Sequence, residues 1–326
     1  MRRTLLLDGD IFVYASASAV EYECQWTEDL WTLHSHLNDA IAHMDDKITE
    51  LKKALNADEV VLAFSDQANF RKAVLPTYKH NRKALRKPIV FKPLMQYAEE
   101  TYRTYRFARL EGDDVLGILS TGDLIKGEKI IVSLDKDMKG VPGLLFNDGK
   151  YRQFREPGDD AEDWVLPYST AQANEFHLFQ TLTGDTTDGY GGCPGMGPVK
   201  ANRLFEQVVL DEHFEANAWT AIVAAYVKAG LSEEVALQMA RVARILRAED
   251  YNIKTGEIKL WLPASLATRI TAPASTVKST PPRASRSHAT VSAAERSPER
   301  DPYLQPGRSK SKTTKASSTA KGSSKS

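Results

Sequence analysis

Carboxylates recur in this chain at short spacings: Asp8-Gly9-Asp10, Ser65-Asp66, Glu111-Gly112-Asp113-Asp114 and Asp135-Lys136-Asp137. Other acidic pairs, Asp45-Asp46 and Asp159-Asp160, read as solvated surface. The first set differs because an apolar run precedes each member, so all would converge on one edge of a sheet. That many like charges in a partly dry cleft cannot all ionise without counter-cations. Oxygen-only ligands select hard ions such as Mg²⁺ or Mn²⁺. Asp185 and Asp188, one helical turn apart, are further candidate ligands for a second ion. The two cysteines, Cys24 and Cys193, and the seven scattered histidines offer no zinc spacing. No Ser or Cys nucleophile with a partnered His is visible.

The elements that must position these acids follow from apolar patterning. Leu5-Leu6-Leu7 reads as a buried strand stopping at Asp8. Leu37, Ile41, Met44, Ile48, Leu51 and Leu55 recur at steps of three and four, the stripe of a long helix. Glu59–Phe64, Tyr105–Leu110 and Lys129–Leu134 read as three more strands, each ending in carboxylates. Apolar strands alternating with helices predict an α/β fold, a mostly parallel sheet covered on both faces. Ligands of such sheets bind beyond the carboxyl ends of the strands. From Asp159 to Asp250 the pattern is helical, and Glu257–Leu262 reads as a small closing strand.

Two further segments suit a nucleic-acid backbone. In Arg71–Lys87, the residues Lys79, Arg82/Lys83 and Arg86/Lys87 fall at helical spacing and predict one basic face, able to neutralise phosphates without reading sequence. Thr183–Ala201 is a glycine-rich hairpin between helices, in which Gly192, Gly195 and Gly197 would let backbone N–H groups approach a phosphate. Free carbonyls there suit a monovalent cation such as K⁺. Pro198 would open the next helix, with Lys200 beside its N-terminus.

The formal net charge of +0 hides an asymmetry. Residues 271–326 carry 11 Lys and Arg against 3 Asp and Glu, leaving 32 basic against 40 acidic in 1–270. The Ser/Thr/Lys/Pro/Ala-rich tail cannot bury enough apolar surface to offset its ordering entropy and is expected to be disordered. The apolar run Thr4–Leu7 is too short for a signal peptide or a membrane span. A protein of the reducing cytoplasm is expected.

The motifs DGD (8–10), FSDQANFR (64–71), YKHNRK (78–83), EGDD (111–114), SLDKDMK (133–139) and GDTTDGYGGCPGMG (184–197) stand in an order that resembles the flap endonuclease, or 5′-nuclease, superfamily. The set is most similar to the 5′→3′ DNA exonucleases of short-tailed bacteriophages, over about residues 4–263; MARVARILRAEDYN and EIKLWLP extend the likeness. The resemblance implies a PIN-like catalytic domain over 1–158 and a helical region over 159–265. The latter would carry a helix–hairpin–helix (H3TH) motif at about 176–208, with the tail from 266 to 326. It implies metal ligation by Asp8, Asp66, Glu111, Asp113, Asp114, Asp135, Asp137, Asp185 and Asp188. Asp10 stands where many relatives carry a hydroxyl residue. Lys79 and Arg82 match a basic pair facing the scissile phosphate, and with Asp113 and Asp135 are expected to carry catalysis. Arg71, Lys83, Arg86, Lys87 and Lys200 would help hold DNA.

The implied chemistry is two-metal hydrolysis, with Mg²⁺ ions roughly 3.5–4 Å apart and 5′-phosphate products. The implied partner is duplex DNA with a 5′ end, nick or flap, with an RNA–DNA hybrid as a further substrate. A single-stranded DNA-binding protein or another replisome component is an open partner. Three rivals remain from the residues alone. A haloacid-dehalogenase-like phosphatase could use Asp8-Gly9-Asp10 but leaves the hairpin unexplained. A catalytically inactive DNA-binding module would have no use for eight clustered carboxylates. A PIN-type ribonuclease shares the acids but lacks the hairpin.

Overall fold

The computed structural model describes residues 2–82, 86–208 and 214–266. Lys83 and all of the expected tail except Leu266 lie outside them.

Strand β1 (Arg3–Asp8) carries Leu5-Leu6-Leu7, each fully buried, because helices cover both faces of the sheet. Helix α1 (Gly9–Ala19) begins where β1 ends, since the Asp8 side chain caps it by accepting from Ile11 N–H at 3.1 Å. An antiparallel hairpin of β2 (Tyr22–Gln25) and β3 (Trp31–His34) follows. Helix α2 (Leu37–Ala54) buries Ala40, Met44, Ile48 and Leu51, the stripe its spacing predicts. Then come β4 (Glu59–Ala63), α3 (Arg71–Val74), α4 (Phe91–Thr101), β5 (Arg103–Tyr105) and α5 (Gly112–Thr121). The region closes with β6 (Glu128–Val132), a 3₁₀ turn at Lys136–Gly140, β7 (Gly143–Phe146), α6 (Asp148–Phe154) and β8 (Val165–Tyr168).

The sheet runs β5-β4-β1-β6-β7-β8, parallel at every pairing except the last. Alternate residues feed separate cores: Leu5, Leu7, Leu62 and Val132 pack with α1, α2 and α4, while Leu6, Val61, Ala63 and Ile131 pack under α5. Because β1, β4 and β6 are parallel, their carboxyl ends share one edge, and Asp8, Ser65-Asp66 and Asp135 emerge there.

The helical part consists of α7 (Thr170–Thr183), α8 (Pro198–Phe205), α9 (Phe214–Lys228) and α10 (Glu233–Ala243) around a third core that includes Leu178, Leu182, Trp219 and Tyr226. A capping box between Ser169 and Gln172 starts α7. Short strands β9 (Tyr251–Asn252) and β10 (Glu257–Ile258) pair antiparallel.

Three expectations change. The third strand stops at Tyr105, and the chain turns through Arg109, which has a left-handed φ of +65°, before reaching Glu111. Among its described residues the basic segment is not a helix beyond Val74: Lys79 has φ +55°, and turns fill the stretch up to Asn81. The sheet also continues past residue 158, because β8 lies at 165–168, and Met1–Pro273 forms one compact unit.

Candidate active site

Four carboxylates form an inner group at the sheet edge. Asp8 ends β1, Glu111 is the N-cap of α5, Asp113 is in the first turn of α5, and Asp135 caps the 3₁₀ turn after β6, accepting from Asp137 N–H at 2.8 Å. Burial, with the charges of Asp10 and Asp135, pushes the Asp8 carboxyl up to about 7 against the hydrogen bond from Ile11. Burial, and then the charges of Asp8, Asp135 and Glu111, hold Asp113 well above the usual carboxylate range. Burial would also raise Glu111, but Arg71 and Lys79 outweigh it and hold this carboxyl down to about 2.

An outer group comprises Asp137, Asp185 and Asp188. Tyr78 ties it to the inner one: its hydroxyl stands 2.9 Å from Glu111 Oε2 and 2.8 Å from Asp188 Oδ2, with one proton to donate between them. Lys79 Nζ is ion-paired with Glu111 and lies 3.6 Å from Asp188; Arg82 Nη2 is 2.5 Å from Asp188 Oδ1. Lys136 Nζ bridges Asp137 and Asp185, and Gln180 Nε2 donates to Asp137 Oδ1 at 2.7 Å. The turn around Lys79 is docked on the loop after α7, with Lys79 N–H donating to Asp188 O at 2.8 Å and Asn81 Nδ2 to Thr186 O at 2.6 Å. That docking replaces the expected helix with a left-handed turn.

Several sequence-predicted residues do other work. Asp66 is taken up in its own turn, accepting from the N–H groups of Arg109 (2.7 Å), Gln67 and Ala68, which lower its carboxyl pKa. Asp114 is fully buried and corrects its reading as a metal ligand: both oxygens accept from Arg71, one from Leu246 N–H and one from Glu111 N–H. Arg71, 3% exposed, is thereby corrected from a DNA contact to a core residue. Arg86 is bidentate to Glu21 at 3.0 and 2.7 Å, and Lys87 lies over the Phe91 ring at 4.2 Å.

In the hairpin, Gly192 is needed for packing rather than access. Its φ is +61°, and a Cβ there would lie 2.4 Å from Gly184 N and 2.5 Å from Leu182 O. Around Gly195 and Gly197, by contrast, a Cβ would meet nothing within 4 Å. Gly197 is the N-cap of α8, Pro198 is in its first turn, and Lys200 Nζ donates to Gly195 O at 2.8 Å.

The donor set is all oxygen, crowded and partly desolvated, which fits hard divalent cations. Among the described residues no three His, Cys, Asp or Glu side chains stand close enough to hold an ion as they are. Glu111, Asp137, Asp185 and Asp188 are instead engaged by Lys79, Arg82 and Lys136. Sequence reasoning assigned no role to Tyr78, Gln180, Lys136 or Asp10, whose Oδ2 accepts from Ser65 N–H at 2.8 Å and joins the ends of β1 and β4. Tyr78 and Lys136 sit inside motifs read for other residues; Gln180 carries no local signal.

Residues 3–142 match the family described as 5′-3′ exonuclease, N-terminal resolvase-like domain. The exodeoxyribonuclease of Enterobacteria phage T3 is 32% identical over 294 residues, 80% of this chain and 93% of that protein. The exonuclease of Escherichia phage T7 is 32% identical over 292 residues, 79% of this chain and 93% of its own length. The T5 D15 protein, co-crystallised with metal ions, superposes with a TM-score of 0.49 at 15% identity, over 75% of this chain and 90% of that one. With 32% identity to two phage exonucleases across 93% of their length, this chain belongs to the 5′→3′ exonuclease and flap endonuclease family.

Proposed function

We propose that this nuclease hydrolyses duplex DNA from a 5′ end, nick or flap with two Mg²⁺ ions, releasing 5′-phosphate products. The observation that carries the reading is the crowding of Asp8, Asp113, Asp135 and Glu111 at one sheet edge, beside Asp137, Asp185 and Asp188. Asp8, Glu111, Asp113 and Asp135 would hold one cation, and Asp137, Asp185 and Asp188 the other. When bound, the cations supply Lewis-acid activation of water and neutralise charge on the departing 3′ oxygen. Lys79 and Arg82, already at the acids, would turn to the scissile phosphate and offset its developing charge. Tyr78 would keep Glu111 and Asp188 in mutual register through its single hydroxyl. Asp66 is reached only if its turn opens, so it is the least supported ligand of the expected set.

Digestion of 5′-labelled and 3′-labelled duplexes, with and without Mg²⁺, tests this. The 5′ label should appear first as short 5′-phosphorylated products, and only with the metal. Label release from the 3′ end, or turnover in EDTA, would defeat the assignment. RNA–DNA hybrid is a second substrate to compare in the same assay, and a single-stranded DNA-binding protein is a partner to add to it. Both cysteines are free and Cys193 is buried, which suits the reducing cytoplasm of a host cell. No helix among the described residues is long and apolar enough to cross a membrane.

The hairpin would grip the duplex backbone through the open flank of Gly195 and the N-terminus of α8 at Gly197, where carbonyls could also take K⁺. Gly197→Ala should therefore keep the melting temperature within about 2 °C, a sub-kcal/mol change, and weaken duplex binding. Gly192→Ala should cost more than about 1–2 kcal/mol from the left-handed backbone alone, before the clash with Gly184. Thermal melts with filter-binding isotherms check both. Unchanged affinity in folded Gly197→Ala removes this helix N-terminus from the DNA contact.

A further inference from the structure

Lys136 has no task in the mechanism above, yet it occupies the centre of the outer acid group. Its Nζ lies 2.9 Å from Asp137 Oδ1 and 2.7 Å from Asp185 Oδ2. The two carboxylates come from different elements, the 3₁₀ turn after β6 and the loop after α7, 48 positions apart in sequence. Gln180 fixes Asp137 from behind, and the N–H groups of Thr187 (2.7 Å) and Asp188 (3.3 Å) fix Asp185 Oδ1. Both acids are thus held by other donors as well: Asp137 Oδ1 accepts from Gln180 and from Lys136 alike, and Asp185 gives Lys136 the oxygen that its backbone donors leave free. The lysine side chain is 62% exposed, against 18% and 11% for the acids. The acids are built in; the cation hangs on a flexible stem and can leave without disturbing the core.

An ordinary surface ion pair explains less. Such a pair needs one partner and is worth about 0–1 kcal/mol. Here one ammonium spans two anchored carboxylates, which is the task a divalent ion would perform with twice the charge.

We propose that Lys136 is a displaceable resident cation of the Asp137–Asp185 pair, and that a metal ion enters this pair only as the ammonium leaves. Lys136 thereby sets the affinity of the second metal position. The inference rests on the two-metal reading of the site. It adds that the outer pair fills against a competitor of its own, the Lys136 ammonium, which is separate from the Lys79 and Arg71 contacts to Glu111. It also gives Lys136 a reason to be lysine rather than arginine, since a compact ammonium makes fewer fixed hydrogen bonds and leaves more readily.

The test is Mn²⁺ binding to the full chain without DNA, followed by the electron paramagnetic resonance of free Mn²⁺, so that no turnover is read. Lys136→Met should tighten the weaker of two sites about five-fold, the factor matching about 1 kcal/mol of lost competition. Lys136→Arg should bind the second ion no more tightly than the native chain. Lys139→Met removes a neighbouring cation that lies over the Phe176 ring at 5.9 Å instead, and should leave both sites nearly unchanged. In an Asp185→Asn background, Lys136→Met should no longer tighten anything. Two Mn²⁺ sites with an unchanged or weaker second site in Lys136→Met would overturn the inference while leaving the metal reading intact. Equal tightening by Lys139→Met would also overturn it, as an effect of net charge alone. Failure of every variant to bind Mn²⁺ would overturn the metal reading, and this inference with it.

Discussion

Asp113→Asn is expected to lose cleavage by on the order of 10³-fold or more while the metal-free protein becomes more stable. The first effect follows from removing a fixed charge at the reacting centre, a change that typically costs about 10²–10³ even for a neutral donor. The second follows from crowding. Asp113 is half-buried, and the charges of Asp8, Asp135 and Glu111 act on it together, opposed only in part by Lys79. Asn keeps the size and one acceptor but removes a like charge from that group. One term opposes this: a carboxylate in the first turn of α5 gains about 0.3–1 kcal/mol from the helix dipole. Three neighbouring carboxylates in a partly dry site should outweigh it, so the melting temperature in EDTA should rise. Adding Mg²⁺ should then stabilise the native chain more than the variant, because the native chain has more repulsion to relieve. Paired melts in EDTA and Mg²⁺, with single-turnover cleavage rates, settle the point. A variant that melts below the native chain in EDTA would make Asp113 a folding residue, and near-normal turnover would remove it from the metal site.

The parts of this site written in local patterns were legible in the sequence. Leu5-Leu6-Leu7, Glu59–Phe64 and the run before Asp135 announced buried strands, and the three-and-four spacing from Leu37 to Leu55 announced α2. The β2–β3 hairpin was not legible, because Tyr22, Trp26, Trp31 and Leu33 are exposed and no polar–apolar alternation marks a buried face. Lys79 and Arg82 have helical spacing without a helix: the turn that carries them is shaped by the loop at 185–189, more than a hundred residues away, while Arg86 pairs with Glu21. Asp66 and Asp114 look alike in a motif, yet one is spent on a turn and the other on an arginine. Residue type and spacing show which carboxylates could hold ions. They do not show which are already committed to the fold, since that depends on partners supplied from elsewhere in the chain.

Arg71→Met is expected to cause the largest loss of stability of any single change at this edge of the sheet. The guanidinium makes a fork with Asp114, at 2.6 Å to Oδ2 and 2.7 Å to Oδ1, and also donates to Val242 O (2.9 Å), Arg244 O (2.6 Å) and Glu111 Oε2 (3.2 Å). It therefore ties α3 and α5 to the C-terminal end of α10 and the residue that follows it. Removing it leaves a fully buried carboxylate without its cation, and breaking such a pair costs about 3–5 kcal/mol. Whole domains are stable by only about 5–15 kcal/mol, so the urea midpoint should fall steeply. Arg71→Lys should recover only part of the loss, because an ammonium cannot reproduce the fork and reach two carbonyls as well. Asp114→Asn in the Arg71→Met background should restore much of it by removing the stranded charge. Unfolding curves for the native chain, the three single variants and the double variant give the coupling directly. The reading of Arg71 as a DNA contact makes the opposite prediction. Arg71→Met would then keep its unfolding midpoint, lose duplex affinity, and show a slope of log K against log salt shallower by about 0.9. With Arg71 only 3% exposed, the structure puts its guanidinium out of reach of a phosphate, and the loss should appear in folding.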